Sequence, residues 1–164
     1  MPDTAKSVLW LPYLKRLQVC GICELCSLID ASPNLNYLCV DYDCLIHLLD
    51  DKHICDLFEQ QIIRLDICDW TGIESDPLKQ IAQVFRRLNH LVLVLKDSTM
   101  LIDSIPLTLL TFWNSEELPS LSVDGSPSDE AKKNLRQWLI DNTRALAEDS
   151  FGVEYKDGWF SLWL

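Results

Sequence analysis

Residues 33–44 read PNLNYLCVDYDC, from Pro33 to Cys44. Leu35, Leu38 and Val40 are aliphatic at successive offsets of three and two, and the chain then turns acidic at Asp41 and Asp43. Leu38 and Val40 alternate, which is the period of a short strand with one buried side. Leu35 lies where the chain approaches that strand. The spacing recurs in LKRLQV (Leu14, Leu17, Val19), IIRLDI (Ile62, Leu65, Ile67), LNHLVL (Leu88, Leu91, Leu93) and LPSLSV (Leu118, Leu121, Val123). The copies begin 21, 27, 26 and 30 residues apart. This recurrence predicts short parallel strands near 17–19, 38–40, 65–67, 91–93 and 121–123, neighbours in that order.

Between these copies the apolar period changes to three or four, which suits short helices. ICELCSLIDA and CLIHLLDDKHICDLF both show it. DPLKQIAQVFRRL shows it best: Asp76 can cap the start, Pro77 suits the first turn, and Leu78, Ile81, Ala82, Phe85 and Leu88 share one face. KDSTMLIDSIPLTLLTFWNSEELP admits either a helix with Pro106 near its beginning or two short elements. One strand–helix unit cannot bury its own apolar face, but stacked units can. Residues 1–127 therefore read as degenerate repeats. After the turn-forming DGSPSD, residues 128–164 read as a cap within the same domain. A helix runs from Ser128 or Asp129 to about Glu148, with Leu135, Trp138, Leu139, Thr143 and Leu146 inward. FGVEYKDGWFSLWL then reads as a hairpin turning at Asp157–Gly158. Residues 1–13 offer no comparable capping helix. The chain is accordingly read either as a piece of a longer array or as needing a partner at that end.

At this point the chain resembles leucine-rich-repeat proteins of the helix-containing kind found in ribonuclease inhibitors and F-box/leucine-rich-repeat proteins, as a carboxy-terminal part. The likeness rests on the five strand segments and covers roughly residues 14–123. It implies an α/β fold: a short solenoid of parallel strands with outer helices, closed by the terminal helix and β-hairpin. It also implies that the concave face and its loops bind protein partners, as the substrate-recognition part of a ubiquitin ligase adaptor would. The family places Asn or Cys three residues after the third aliphatic position to tie up turn backbone. Here that position holds Ile22, Asp43, Trp70, Lys96 and Ser126, of which Asp43 can imitate it.

Composition bounds the function. The 164 residues fit one domain, and 48% hydrophobic content supplies a core. Acidic residues outnumber basic ones by 25 to 14, a formal net charge of -11. Such a surface repels a phosphate backbone, so no nucleic acid is expected and a basic protein partner is the more natural one. No window reaches eighteen uninterrupted apolar residues and the start lacks a signal-peptide pattern, so no membrane is expected. Seven cysteines, all in the first half, suit free thiols in the cytoplasm or nucleus.

Three groups of residues could carry a site. Cys20, Cys23 and Cys26, with Cys39 or Cys44, offer thiolate spacing for a structural metal; the alternative reading is small buried hydrophobes, with no cofactor or metal. His47, Asp50, Asp51, His53 and Cys55 offer residue types for a small α/β hydrolase, against a reading as a solvated helix face. The third group lies between the strand aliphatics and points out from the sheet: Lys15, Arg16, Gln18, Asn36, Tyr37, Cys39, Arg64, Asp66, Asn89, His90 and Val92. Asp41, Tyr42, Asp43, Asp69 and Trp70 follow at the strand ends. Tyr37, Asp41, Tyr42, Arg64, Asp66, Asp69, Trp70 and His90 are the candidate protein-binding residues, since aromatics beside charges make interface anchors. The chain is thus read as a non-enzymatic interaction module, with a repeat scaffold or inhibitor unconnected to a ligase as one alternative and the hydrolase as the other.

Overall fold

The computed structural model describes residues 9–21, 25–71, 75–113, 119–144, 146 and 150–164. Each aliphatic copy forms a strand: β1 (Arg16–Val19), β2 (Tyr37–Asp41), β3 (Arg64–Trp70), β4 (His90–Leu95) and β5 (Ser120–Asp124). The terminal hairpin supplies β6 (Gly152–Lys156) and β7 (Trp159–Trp163). Among the described residues these make one sheet of seven strands in the order β1-β2-β3-β4-β5-β7-β6. The first five run parallel and in chain order, and β7 is antiparallel to both β5 and β6.

The register aligns the repeated aliphatics. Leu17, Leu38, Leu65, Leu91, Leu121 and Leu162 pair across neighbouring strands as one row. Val19, Val40, Ile67, Leu93, Val123 and Phe160 form the next. From β2 onward these side chains are buried, whereas Leu17 and Val19 on β1 stay partly exposed. Each buried aliphatic contributes about 1.5–3 kcal/mol relative to exposure. A one-residue slip would turn a whole row to solvent, so the pattern fixes the register.

A backbone motif recurs at the strand entrances. Asn36 and Tyr37 both donate N–H to the Lys15 carbonyl; Ile63 and Arg64 donate to Asn36; Asn89 and His90 donate to Ile63. The second, third and fourth copies each hang from the one before.

The described residues also form seven helices: α1 (Cys26–Asp30), α2 (Tyr42–Leu49), α3 (Lys52–Gln61), α4 (Ser75–Val84), α5 (Ser104–Phe112), α6 (Asp129–Lys133) and α7 (Leu135–Asn142). Apolar side chains of every helix but α6 join the strand aliphatics in one core. The helical stretch around residues 45–58 breaks at Asp51, whose carboxylate accepts the N–H groups of His53 and Ile54 and so caps α3. Phe58 after α3's middle and Phe85 just past α4 stack with ring centroids 5.1 Å apart. The segment after the fourth copy forms α5, with Pro106 near its beginning, where its missing N–H costs little.

Two expectations for the helices need correction. The helix expected from 128 to about 148 is two short ones, because Asn134 leaves helical geometry (φ -159°, ψ 84°) and its side chain caps α7 by accepting the Gln137 N–H. The second ends at Asn142. Asp76 lies inside the first turn of α4, with Pro77, instead of preceding it; residues 72–74 fall outside the described set. So do Ile22, Cys23 and Leu118. The hairpin turns at Asp157 and Gly158, both with positive φ (53° and 85°), as a tight two-residue turn requires.

Candidate interaction face

Strand alternation leaves one side of the sheet for side chains that do not enter the core. The first row on that side runs Arg16, Tyr37, Arg64, His90, Ser120 and Trp163. The second runs Gln18, Cys39, Asp66, Val92, Ser122 and Ser161. Arg16, Gln18, Arg64, His90, Trp159 and Trp163 are exposed, and Tyr37 and Asp66 are partly so. The sequence placed Tyr37, Arg64, Asp66 and His90 together here, and the register does bring them side by side.

Their geometry is specific. The Arg16 guanidinium carbon stands 4.6 Å from the Tyr37 ring centre and that of Arg64 stands 5.0 Å away. The phenol donates to Asp66 Oδ2 at 2.7 Å. Arg64 donates to the same carboxylate from Nε (3.1 Å to Oδ1) and from Nη2 (3.2 Å to Oδ2). Burial, then the Asp66 carboxylate, raises the Tyr37 hydroxyl above its ordinary value. The Asp66 hydrogen bond raises Arg64 as well, so it stays charged. The cluster is a preorganised plate of one aromatic ring carrying cations, with a single carboxylate holding it in place.

Cys39 sits on this open side yet is only 6% exposed. Its Sγ lies 3.9 Å from Cys68 Sγ on the adjacent strand. Burial, then the Cys68 thiol beside it, pushes the Cys39 thiol up to about 12. Cys68 is raised too, chiefly by burial. These are protonated, unreactive thiols at neutral pH.

The strand ends differ from expectation at two positions. Trp70 is only 1% exposed and belongs to the core, so it cannot serve as a rim anchor. Asp69 explains this: it adopts positive φ (51°), the β3–β4 register shifts between Ile67 and Trp70, and the alternation resets so that residue 70 turns inward. Tyr42, the first residue of α2, meets the Trp70 ring edge-on at 4.8 Å and is only partly exposed. Asp43 is exposed in the first turn of α2. The carboxylate that accepts the Gly21 N–H, at the end of β1, belongs to Asp41. Asp69 is exposed.

The other two groups do not converge. His53 Nε2 and Asp30 Oδ1 approach to 2.8 Å, but both side chains are more than half exposed. Asp51 is engaged as a helix cap, and Cys55 donates to the Leu49 carbonyl at 3.3 Å. The cleft between α4 and α5 is lined by Lys79, Ala82, Gln83, Arg86, Thr111 and Phe112, without a thiol or carboxylate. Cys20 and Cys26 are exposed, against the expectation of buried hydrophobes, because β1 ends before Cys20 and Cys26 starts α1 on its outer side. Cys39 and Cys44 are buried. Among the described residues no three or more His, Cys, Asp or Glu side chains are placed to hold a metal ion. Also among them, no helix is long and apolar enough to cross a membrane.

Sequence reasoning missed the half-exposed tryptophans. Alternation with Phe160 and Leu162 sets Trp159 and Trp163 on the hairpin's other face, but nothing local sets them on the same face as Tyr37. Only the antiparallel β5–β7 pairing, which sets Ser120 against Trp163 and Asp124 against Trp159, reveals that. No protein-family model, curated protein or solved structure matches this chain.

Proposed function

We propose that this chain is a protein-interaction module: a short leucine-rich-repeat solenoid whose open sheet side receives a partner protein, as the substrate-recognition part of an F-box/leucine-rich-repeat ubiquitin-ligase receptor. The observation that carries the interaction reading is the row Arg16–Tyr37–Arg64–His90 with Trp159 and Trp163 on the same side. Arginine, tyrosine and tryptophan dominate binding energy at interfaces, because each desolvates much apolar surface while keeping a polar group for orientation. The recurring strand-entrance hydrogen bonds support the repeat reading.

Crosslinking with mass spectrometry on native extract, comparing the chain with a Tyr37→Ala/Trp159→Ala variant, tests the interaction. The expected result is a partner crosslinked to the strand side and held about tenfold more weakly by the variant, with thermal unfolding little changed. Crosslinks confined to the helix side would overturn the assignment of the face. For the ligase role, partner abundance should rise when this chain is removed from cells. Unchanged abundance would leave a scaffold or inhibitor.

A further inference from the structure

β1 differs from every other parallel strand. Among the described residues it pairs on one side only, with β2. Because Tyr37 donates to the Lys15 carbonyl, alternation turns the backbone groups of Arg16 and Gln18 to the other edge. The strand-entrance motif makes the same point independently. The N–H groups equivalent to the donor pairs Asn36/Tyr37, Ile63/Arg64 and Asn89/His90 are those of Lys15 and Arg16, and among the described residues these two have no acceptor. The apolar row is also unfinished here: Leu17 and Val19 are half-buried where their counterparts on β2 to β5 are buried, and Leu9, Trp10 and Tyr13, which precede β1 in the chain, are exposed.

We propose that β1 takes an extended segment of a partner protein as an added strand, and that this segment alternates aliphatic and acidic side chains. The backbone edge specifies a strand. Half-covered Leu17 and Val19 specify aliphatic side chains on its inner side. Arg16 specifies carboxylates near its outer side, and exposed Lys15 adds a second cation at the strand's start, since neither forms an ion pair among the described residues. The whole chain is acidic, but charges beyond about 8 Å are screened at physiological salt, so the cations on the strand itself set the local preference. Edge-to-edge pairing of two copies would bring the Lys15 and Arg16 cations of one β1 up to those of the other, which disfavours a second copy as occupant. Arg16 also belongs to the open-side row, but the backbone edge does not, so an N-methylated peptide and Gln18→Pro decide this inference separately from the function proposed above.

Fluorescence anisotropy on the full chain tests it, with three labelled synthetic peptides: one alternating valine with glutamate, one alternating valine with lysine, and the valine–glutamate peptide N-methylated at alternate amides. The first should bind saturably, and the other two about tenfold more weakly or not at all. Arg16→Glu should reverse the preference between the two charge types. Gln18→Pro should abolish binding with little loss of stability, because its N–H points away from β2 and proline is tolerated on an edge. The N-methylated peptide asks the same question with the protein unaltered. Equal binding of all three peptides, or no saturable binding, overturns the proposal. So does a peptide-free dimer in sedimentation that Gln18→Pro dissociates, since the edge would then belong to a second copy. Loss of partner capture in the Tyr37→Ala/Trp159→Ala variant, with peptide binding intact, separates the two sites.

Discussion

Trp70 links sequence to fold through one backbone angle. A tryptophan three residues beyond the strand's last repeated aliphatic belongs, by simple alternation, on a rim. The positive φ of Asp69 and the register shift beside it turn Trp70 into the core instead. Trp70→Ala should therefore act as a core truncation, lowering unfolding free energy by about 3–5 kcal/mol in urea titrations. A loss of partner binding at unchanged stability would contradict this placement. Cys39 gives a second test. Its thiol ordinarily ionises near 9.0 and in the folded protein is held protonated up to about 12. Above 9.0 the unfolded chain releases this proton while the folded chain keeps it. The stabilising contribution is complete below 9.0 and declines as pH rises towards about 12. Urea midpoints measured across that window should fall less steeply in Cys39→Ala than in the native chain.

At the scale of elements, short helices depend on their ends more than on their length. Asp51 satisfies two N–H groups at the start of α3 and separates that helix from α2. Asp51→Ala should cost about 1 kcal/mol, seen as a lower thermal midpoint with the sheet's spectroscopic signal retained. Next to it, His53 reaches Asp30 at the end of α1. The hydrogen bond to Asp30 raises the His53 pKa above its ordinary 6.5. Any support from this contact is therefore full below that value and lost as pH rises through the folded pKa. Proton NMR should show His53 titrating above 6.5 in the native chain and moving down in Asp30→Asn. The five parallel strands and the hairpin were legible because their signal is local and periodic: paired aliphatics at fixed spacing, and Asp157–Gly158 between alternating runs. The break at Asn134 and the bulge at Asp69 were not, since each turns on a single residue leaving the conformation its neighbours adopt. Half of the candidate face was legible for the same reason. Tyr37, Arg64 and His90 share a register position, whereas the tryptophans join them only through a pairing between β5 and the chain's last strand.

Across the whole molecule, the described sheet ends in the hairpin on one side, with β6 outermost, and in β1 on the other. At the far end, β7 runs antiparallel to β5, and Phe160 and Leu162 continue the two apolar rows. At the near end, β1 has four residues, one neighbour among the described residues and partly exposed aliphatics. Stability is set locally by buried apolar contact and paired backbone, so it should fall off towards β1. Native-state hydrogen exchange measures this directly. Amides of β3 and β4, flanked by strands on both sides and carrying fully buried Leu65, Ile67, Leu91 and Leu93, should exchange only through global unfolding. Among β1 amides, those of Arg16 and Gln18 should exchange fastest, because they face the unpaired edge, while Leu17 and Val19, turned towards β2, should be slower. Denaturant should speed the β3 and β4 amides steeply and the β1 amides hardly at all, because opening one edge strand exposes little surface. A β1 as protected as β3, with the same denaturant dependence, would mean that the near end is already closed, and the edge would lose its claim to a partner strand.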